Sequence, residues 1–403
     1  MDANPRFAAF FCLSRKKWQL IWAVKFPSLL VLFSIGLAFS RVNAATAQFV
    51  VRNTNDDGAA SLRQAIVNAN SHPNDQGPDF ISFAIPGSGV QTIVLESALP
   101  AITEPVIIDG WTQPGWDGAP LIELTPAAGV TVDGLTITGG GTTIRGLVMN
   151  RFLTAINFSQ NGNNIVQGCY LGTDTTGTLP ASNRNGIFSL QISNIQIGGT
   201  TAEERNIISG NRFEGIKLSE NDSVHGIETG GHVIQGNYVG TDVTGTKAVP
   251  NCTETANGAA GLSGIYVIGN GVKIGGPETG TGNLVSGNAS GGISLEGAGA
   301  IIAGNFVGTD ITGFIALPNN GTGLSMASLG GQLGGLGASR NLVSGNARNG
   351  IGVASSNGFI QGNYVGTDIT GKVALPNGGI GMSIAGRSNL IGGSTPGAGN
   401  LIS

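Results

Sequence analysis

The feature that most constrains the fold of this chain is a seven-residue phrase, Gly-x-aromatic-aliphatic-Gly-Thr-Asp, that occurs four times. Its aspartates are spaced 68, 68 and 58 residues apart and are Asp174, Asp242, Asp310 and Asp368. A second phrase, Asn-x-x-Ser-Gly-Asn, alternates with the first. Its copies begin at Asn206, Asn283 and Asn341, and it starts again at Asn400. Self-similarity at a fixed spacing predicts a repeat architecture in which successive units stack.

A finer period of about 29 residues runs through the same region. It is marked by a glycine before an apolar residue, at Gly186, Gly215, Gly264, Gly292, Gly323, Gly350 and Gly379. Apolar residues then alternate at period two, as in Ile351 and Val353 or Ile380 and Met382, which predicts half-buried strands. Ser189 breaks the alternation after Ile187, so the register near Gly186 stays open.

Each unit holds three short apolar runs, for example Ile351 to Val353, then Phe359 to Ile360, then Tyr364 to Val365. No run can bury its apolar face alone, so we expect like strands of successive units to pair in parallel and stack their side chains into a core. A propeller needs longer strands. The predicted fold class is all-β, a right-handed parallel β-helix (solenoid) with a short N-terminal capping helix.

Asparagines at the strand ends support the coil. Such side chains can stack as amide ladders, each donating to the next. We expect two ladders, one with Asn237, Asn305 and Asn363 and the other with Asn211, Asn288 and Asn346. Cys169 takes the asparagine's place in the first copy, so the ladder should be interrupted there.

Residues 1–47 read as a signal peptide. Basic residues precede an apolar stretch from Pro27 to Phe39, and Ala45-Thr46-Ala47 forms a small-x-small cleavage site. The stretch is short for a membrane span, although an uncleaved anchor is the alternative. The prediction is a secreted or cell-surface protein with no membrane contact after cleavage.

Removal of residues 1–47 takes the net charge from −4 to −9, because that segment holds six basic residues and Asp2. An acidic surface disfavours nucleic acid as a partner. Cys169 and Cys252 remain, either as a disulfide in an oxidising compartment or as two free thiols.

The stretch before the repeats carries two further motifs, Asn-Thr-Asn-Asp-Asp-Gly-Ala-Ala-Ser-Leu-Arg-Gln-Ala-Ile at 53–66 and Ile-Ile-Asp-Gly-Trp-Thr-Gln-Pro-Gly at 107–115. With the repeats, they make residues 48–403 resemble the pectin-lyase-like right-handed β-helix proteins, especially long bacterial secreted or surface repeat proteins. The first motif is similar to the leader motif Cys-Ser-Leu-Arg-Glu-Ala, with Ala60 for Cys and Gln64 for Glu.

The predicted organisation is a signal peptide at 1–47, a leader with a capping helix at 48–80, and the β-helix at 81–403. The β-helix is expected to be incomplete at the C-terminus, because Ser403 falls inside a repeat phrase. Ser61 and Gln64 form a Ser-x-x-Gln capping box. Leu62, Ala65, Ile66 and Ala69 then lie on one face of a short helix suited to cover the open end of the coils.

The resemblance implies two kinds of chemistry, because the fold hosts both enzymes and non-enzymes. Lyases of this fold use carboxylates holding Ca²⁺ and an Arg or Lys base, and hydrolases use paired aspartates. Of the expected family motifs only Asp56-Asp57 occurs, and it lies in the leader. The four repeat aspartates have equivalent places, which favours a turn role; Ca²⁺ binding between neighbouring turns is the alternative. Arg205 and Arg340 are expected to be solvated.

Two insertions lengthen the first two repeats. The one at 220–232 is the least repetitive surface, and it offers a candidate metal or substrate site formed by Glu220, Asp222, His225, Glu228 and His232. The alternative is a solvated loop. The second insertion, 252–262, offers only Glu254.

The functional hypothesis is a secreted or cell-surface β-helix repeat protein with a structural, adhesive or carbohydrate-binding role and no cofactor, Ca²⁺ being the one alternative. The partner would be a polysaccharide or a cell surface. The alternative function is a polysaccharide lyase or glycoside hydrolase acting on acidic polysaccharides.

Overall fold

The computed structural model describes residues 46–219, 230–254 and 262–403, and these form a parallel β-helix built of three sheets. Within each sheet the neighbouring strands pair in parallel. One coil passes from the third sheet to the first and then to the second. The right-handed coil agrees with the hand of parallel crossover connections in general. Of the described helices, none is long and apolar enough to span a membrane.

The first sheet contains, in order, Gln48–Val51, Asp79–Phe83, Val106–Asp109, Thr143–Arg145, Ile165–Gln167, Gln196–Gly198, Val233–Gln235, Lys273–Gly275, Ile301–Ala303, Gln332–Gly334, Phe359–Gln361 and Leu390–Ile391. The second contains Gln91–Leu95, Ile122–Pro126, Leu147–Met149, Tyr170–Leu171, Ile207–Ile208, Tyr238–Val239, Leu284–Val285, Phe306–Val307, Leu342–Val343, Tyr364–Val365 and Leu401–Ile402. The third contains Leu135–Ile137, Thr154–Phe158, Asn185–Leu190, Ile216–Ser219, Ser263–Ile268, Gly291–Ala298, Leu324–Leu329, Ile351–Ala354 and Met382–Ala385.

The core is a set of vertical files of inward side chains. Ile293 pairs with Leu324 and Leu324 with Ile351, so the predicted file is confirmed. The register near Gly186, which the sequence left undecided, is that of the other coils: Ile187 pairs with Ile216 and Ser189 with Leu218. Ser189 is therefore a buried hydroxyl inside an apolar file.

The register predicted for the last coil is wrong. Ile351 pairs with Met382 and Val353 with Ile384, whereas Ile380 lies outside the strand and is 58% exposed. Both Gly379 and Gly381 precede an apolar residue, so the local pattern fits either position. Pairing with the preceding coil selects the second.

The capping helix spans Leu62–Ser71 and buries Leu62, Ala65, Ile66 and Ala69, as predicted. Ser61 Oγ accepts from the Gln64 backbone N–H at 3.2 Å. The reciprocal half of the capping box is not formed, because Gln64 donates instead to Asn68. Within the predicted leader, Gln48–Val51 already pairs with Asp79–Phe83 as the first strand of a sheet. Two 3₁₀ helices occupy Gly110–Thr112 and Gly337–Ser339.

Two buried asparagine ladders run along the coils, with amide-to-amide distances of 2.8–3.1 Å. One consists of Asn206, Asn237, Asn283, Asn305, Asn341, Asn363 and Asn400. The other consists of Asn183, Asn211, Asn251, Asn288, Asn319, Asn346 and Asn377. The predicted ladders contained only every second asparagine. Each was drawn from one repeat phrase, and copies of one phrase lie two coils apart, so an asparagine of the coil between them completes the ladder. Cys169 ends the first ladder as predicted, donating only its backbone N–H to Asn206.

The repeat aspartates act in turns, as predicted. Asp310 accepts from Thr312 Oγ1 at 2.8 Å and from the Ile315 N–H at 3.2 Å, and the other three copies have matching donors. Successive turns also stack, since the Ile311 N–H donates to the Gly245 carbonyl. Each turn thereby folds over the outer face of the second sheet.

The structure decides two expectations about single side chains, the exposure of the repeat arginines and the state of the cysteines. Arg205 and Arg340 are not simply solvated; each lies half-buried over a tyrosine ring. Cys169 and Cys252 are buried free thiols. Burial raises the pKa of Cys169 to about 12, and the pKa of Cys252 is also raised, by burial and then by the charge of Glu214.

Candidate functional site

The outer face of the third sheet changes character along the axis. Strand register places one outward residue per coil in a single row, which runs Thr136, Asn157, Phe188, Lys217, Tyr266, Ser294, Ser325, Gly352 and Ser383. The large and polar side chains stand together in the N-terminal half. The C-terminal half is nearly bare.

A cleft of about 450 Å³ lies over the N-terminal half of this row. Two aromatic rings and four charged side chains line it, together with the amides of Asn157 and Asn185; the aromatic and charged residues are Phe188, Phe213, Asp133, Arg184, Glu214 and Lys217. We call it the third-sheet cleft. Its lining has the mixture of aromatic surface and directional polar groups that is typical of small-molecule and sugar sites.

The acidic side chains of the cleft are held in place. Asp133 accepts from the Thr154 N–H at 3.1 Å and from Asn157 Nδ2 at 2.8 Å. Glu214 is buried and accepts from Lys217 Nζ at 3.2 Å and from Asn185 Nδ2 at 3.4 Å. Each carboxylate is thus oriented by neighbours on the adjacent coil or turn.

The basic side chains of the cleft lie on aromatic rings. The Arg184 guanidinium is 5.1 Å from the ring centre of Phe213, and Lys217 Nζ is 5.6 Å from that of Tyr266. Such contacts add a cation–π attraction and hold the long side chains against the sheet. The pKa of Tyr266 is raised, chiefly by burial and then by the charges of Glu296 and Glu214, so its hydroxyl is a neutral donor at neutral pH.

The third-sheet cleft continues along the axis as a shallow groove. Two hollows of about 350 Å³ each follow it towards the C-terminus. The first shares Leu262 with the cleft, and the two hollows share Ser294 and Ser325. An extended ligand can therefore lie along the axis, with its specific contacts at the N-terminal end.

The electrostatics of the cleft are balanced, because two carboxylates face two cations. Recognition here would rest on hydrogen bonds and ring stacking, with little dependence on net charge. The same residues could serve acid–base chemistry, since Glu214 and Asp133 share the cleft with Lys217.

Four of the five residues predicted as a site, Glu220, Asp222, His225 and Glu228, lie outside the described residues. The fifth, His232, is buried and accepts a hydrogen bond at Nδ1 from the Ile195 N–H at 3.2 Å. Burial lowers its pKa to about 4, so it is neutral at pH 7. Within 46–219, 230–254 and 262–403, no three His, Cys, Asp or Glu side chains gather as metal ligands.

Asp56 and Asp57, the other flagged carboxylates, serve the leader. Asp56 pairs with Arg63 at 2.6 Å, and Asp57 accepts from the Gly58 N–H.

The sequence prediction missed the third-sheet cleft, although a signal for it was present. Phe188, Lys217 and Tyr266 each stand between two inward residues of a strand, at the outward position that is serine or glycine in later units. A comparison of outward positions between units would have separated the two halves of the face.

The chain was compared with known proteins. No family model matches it, and neither does any curated protein. Among solved structures it is similar to the A-module of the Azotobacter vinelandii mannuronan C-5 epimerase, at 10% identity and a TM-score of 0.38 over 87% of this chain and 98% of that one.

Two further solved structures are similar. The Dettilon tailspike protein has 17% identity and a TM-score of 0.38, over 88% of this chain and 59% of that chain. A pectate lyase has 12% identity and a TM-score of 0.26, over 85% of this chain and 77% of that chain. The likeness concerns the fold alone, a parallel β-helix.

Proposed function

We propose that this chain is a secreted or cell-surface β-helix protein that binds a polysaccharide along the outer face of its third sheet, in a structural or adhesive role. The third-sheet cleft carries the proposal, because among the described residues of that face it combines aromatic rings with oriented carboxylates, amides and cations. The groove beyond it gives room for a linear chain.

The four charged residues of the cleft cancel, and the predicted charge of the mature chain is acidic. Attraction of a polyanion by net charge is therefore a poor basis for affinity, and stacking with directional hydrogen bonds is a better one. We expect the protein to bind neutral and weakly acidic polysaccharides with an affinity that changes little between about 50 and 300 mM salt. Binding driven by net charge would instead weaken as the salt concentration rises.

The direct test is affinity electrophoresis or calorimetry against a panel of neutral and acidic polysaccharides. Phe188→Ala should weaken binding about tenfold, a loss of ~1.4 kcal/mol. The matched control is Phe359→Ala, because Phe359 is an exposed phenylalanine on the first sheet. Equal loss in both variants, or no binding by the parent protein, would refute the proposal.

Calcium is tested in the same experiment. The Asp310 carboxylate already accepts from its own turn. We therefore expect the measured affinity to be unchanged by a chelator.

Cleavage of the bound polysaccharide is a second candidate function. It is favoured by one observation, the buried Glu214 beside Lys217 in a cleft that also contains Asp133. Release of unsaturated products or reducing ends, lost in Lys217→Gln while binding persists, would establish an enzyme. Binding without products would leave the structural role.

A further inference from the structure

The repeat phrase places an aromatic residue at the same position of the second sheet four times, and three of these, Tyr238, Phe306 and Tyr364, follow a coil that carries a ladder asparagine. Each backbone N–H donates to a ladder asparagine carbonyl of the preceding coil. Two residues before each aromatic residue lies a glycine in the left-handed conformation. These glycines are Gly236, Gly304 and Gly362, with φ of 68°, 71° and 67°. The three sites share this hydrogen bond and this glycine conformation.

Two of the three rings are covered by an arginine from the preceding coil. The Arg205 guanidinium lies 4.3 Å from the Tyr238 ring centre, and that of Arg340 lies 3.7 Å from the Tyr364 ring centre. Both also donate from Nε to the carbonyl of the glycine before the ring, at 3.3 Å to Gly236 and 2.7 Å to Gly362. The repeat therefore builds a guanidinium seat from one ring face and one carbonyl.

The middle copy of this seat has no arginine. Gly282 stands where Arg205 and Arg340 stand, directly before the ladder asparagine. A cleft of about 240 Å³ opens there, lined by Phe306, Gly282, Gly304 and Glu278. We call it the Phe306 cleft.

In the vacant seat the Gly304 carbonyl lies against Gly282. A Cβ built on Gly282 would clash with the Gly304 oxygen, so this oxygen occupies space that the start of the arginine side chain takes in the other copies. Within the described part of the chain, no donor reaches the Gly304 oxygen.

The charges around the Phe306 cleft come from two side chains. Glu278 is exposed at its rim, and in the described ranges its carboxylate has neither an ion pair nor a hydrogen bond. Arg205 lines the other end, where it is already engaged by Tyr238 and Gly236. The Phe306 end thus combines an aromatic face, a free acceptor and an unpaired carboxylate.

We propose that the Phe306 cleft binds an alkylguanidinium group, stacked on Phe306 and donating to the Gly304 carbonyl, with Glu278 balancing its charge. A planar guanidinium matches the seat because the molecule places that same group in the two equivalent copies. A carboxylate ligand would face Glu278 and the negative ring face. This site lies on the second sheet and is independent of the polysaccharide proposal.

Two probes distinguish the source of the group. Ethylguanidinium represents a free small alkylguanidine, and N-acetylarginine amide represents an arginine in a polypeptide. Each is titrated into the full chain labelled with 4-fluorophenylalanine, and the Phe306 signal is assigned by its absence in Phe306→Leu. We expect a saturable shift of this signal with millimolar affinity, while the exposed Phe314 signal stays in place. The probe that binds more tightly identifies the source.

Variants make the test specific. Glu278→Gln, an exposed and conservative change, should weaken binding about 3- to 10-fold, as expected for one partly exposed charge. The matched control is Glu254→Gln, an exposed glutamate away from the cleft, which should leave binding unchanged. No shift of the Phe306 signal with either probe, or equal weakening in both glutamate variants, would overturn the proposal.

Discussion

The two halves of the third sheet share one core and differ on the outside. Both halves continue the same inward file, from Ile216 and Ile265 in one to Leu324 and Ile351 in the other. Outward, the first half presents Phe188, Lys217 and Tyr266 with their charged neighbours, and the second presents serine and glycine. The comparison teaches that inward residues build the solenoid and outward residues are free to specialise.

The physical reason is the different cost of change on the two sides. An inward side chain is surrounded by atoms of three coils, so its loss leaves a cavity. Removal of an outward side chain costs only its contacts with solvent and with one or two neighbours, and it leaves no cavity. The repeat pattern is thus strict inside and loose outside.

The largest effect is expected from a pair of neighbours on one strand. Ile265→Ala should lower the free energy of unfolding by ~2–5 kcal/mol, because it empties part of the buried file. Tyr266→Ala, one residue on and facing outward, should lower it by less than ~1.5 kcal/mol. Denaturant unfolding of both variants measures this, and similar losses would break the distinction between inside and outside.

A smaller loss is expected where the halves share a ladder. Asn283 donates to Asn305, which donates to Asn341. Asn305→Leu leaves buried amides unpaired and should lower the free energy of unfolding by ~1–3 kcal/mol. Asn320→Leu is the control at an exposed asparagine and should stay within ~0.5 kcal/mol. An unchanged melting curve for Asn305→Leu would contradict the buried ladder.

The outer faces are compared by binding. Tyr266→Ala removes a ring beside the third-sheet cleft that supports Lys217, and it should reduce polysaccharide affinity by about 3- to 10-fold, within the range for one aromatic contact. Ser325→Ala in the bare half should leave the affinity unchanged. If Ser325→Ala weakens binding as much, the specific contacts are not confined to the N-terminal half.

The smallest effect concerns the turns, through pH. Burial by itself would raise the pKa of Asp174, but hydrogen bonds from Leu179, Thr176 and Thr178 outweigh it and lower the pKa below its ordinary 3.8. A carboxyl with a lowered folded-state pKa stabilises above its unfolded pKa, and the contribution disappears as pH falls through the folded value.

The free energy of unfolding of Asp174→Asn should therefore fall less steeply than that of the parent as the pH drops below about 4. Thermal melts between neutral and strongly acidic pH measure the slope. Asp117→Asn, at an exposed aspartate in an early loop, is the control. A slope equal to the parent's in Asp174→Asn would show that the turn carboxylate does not contribute.

Most of the scaffold could be predicted because its causes are local or periodic. The helix face of Leu62 and Ile66, the turn role of Asp310 and the file through Ile293 follow from spacing alone. The last coil was misplaced by two residues, since Gly379 and Gly381 offer equal local signals and only pairing with the neighbouring coil discriminates between them. The ladders were half predicted, because each was assembled from one repeat phrase, whereas the rungs between, such as Asn251 and Asn319, follow the repeat prolines on other coils.

The sequence by itself determined that the chain coils, how long a coil is, and which side chains point inward, because burial imposes a period that survives in the residues. Only the tertiary structure decided which outward residues meet. Asp133 comes from a different coil than Glu214 and Lys217, and Gly282, Gly304 and Phe306 meet across two coils. Such neighbours are set by the stacking of coils, and no periodicity in the chain records which solvent-facing groups that stacking brings together.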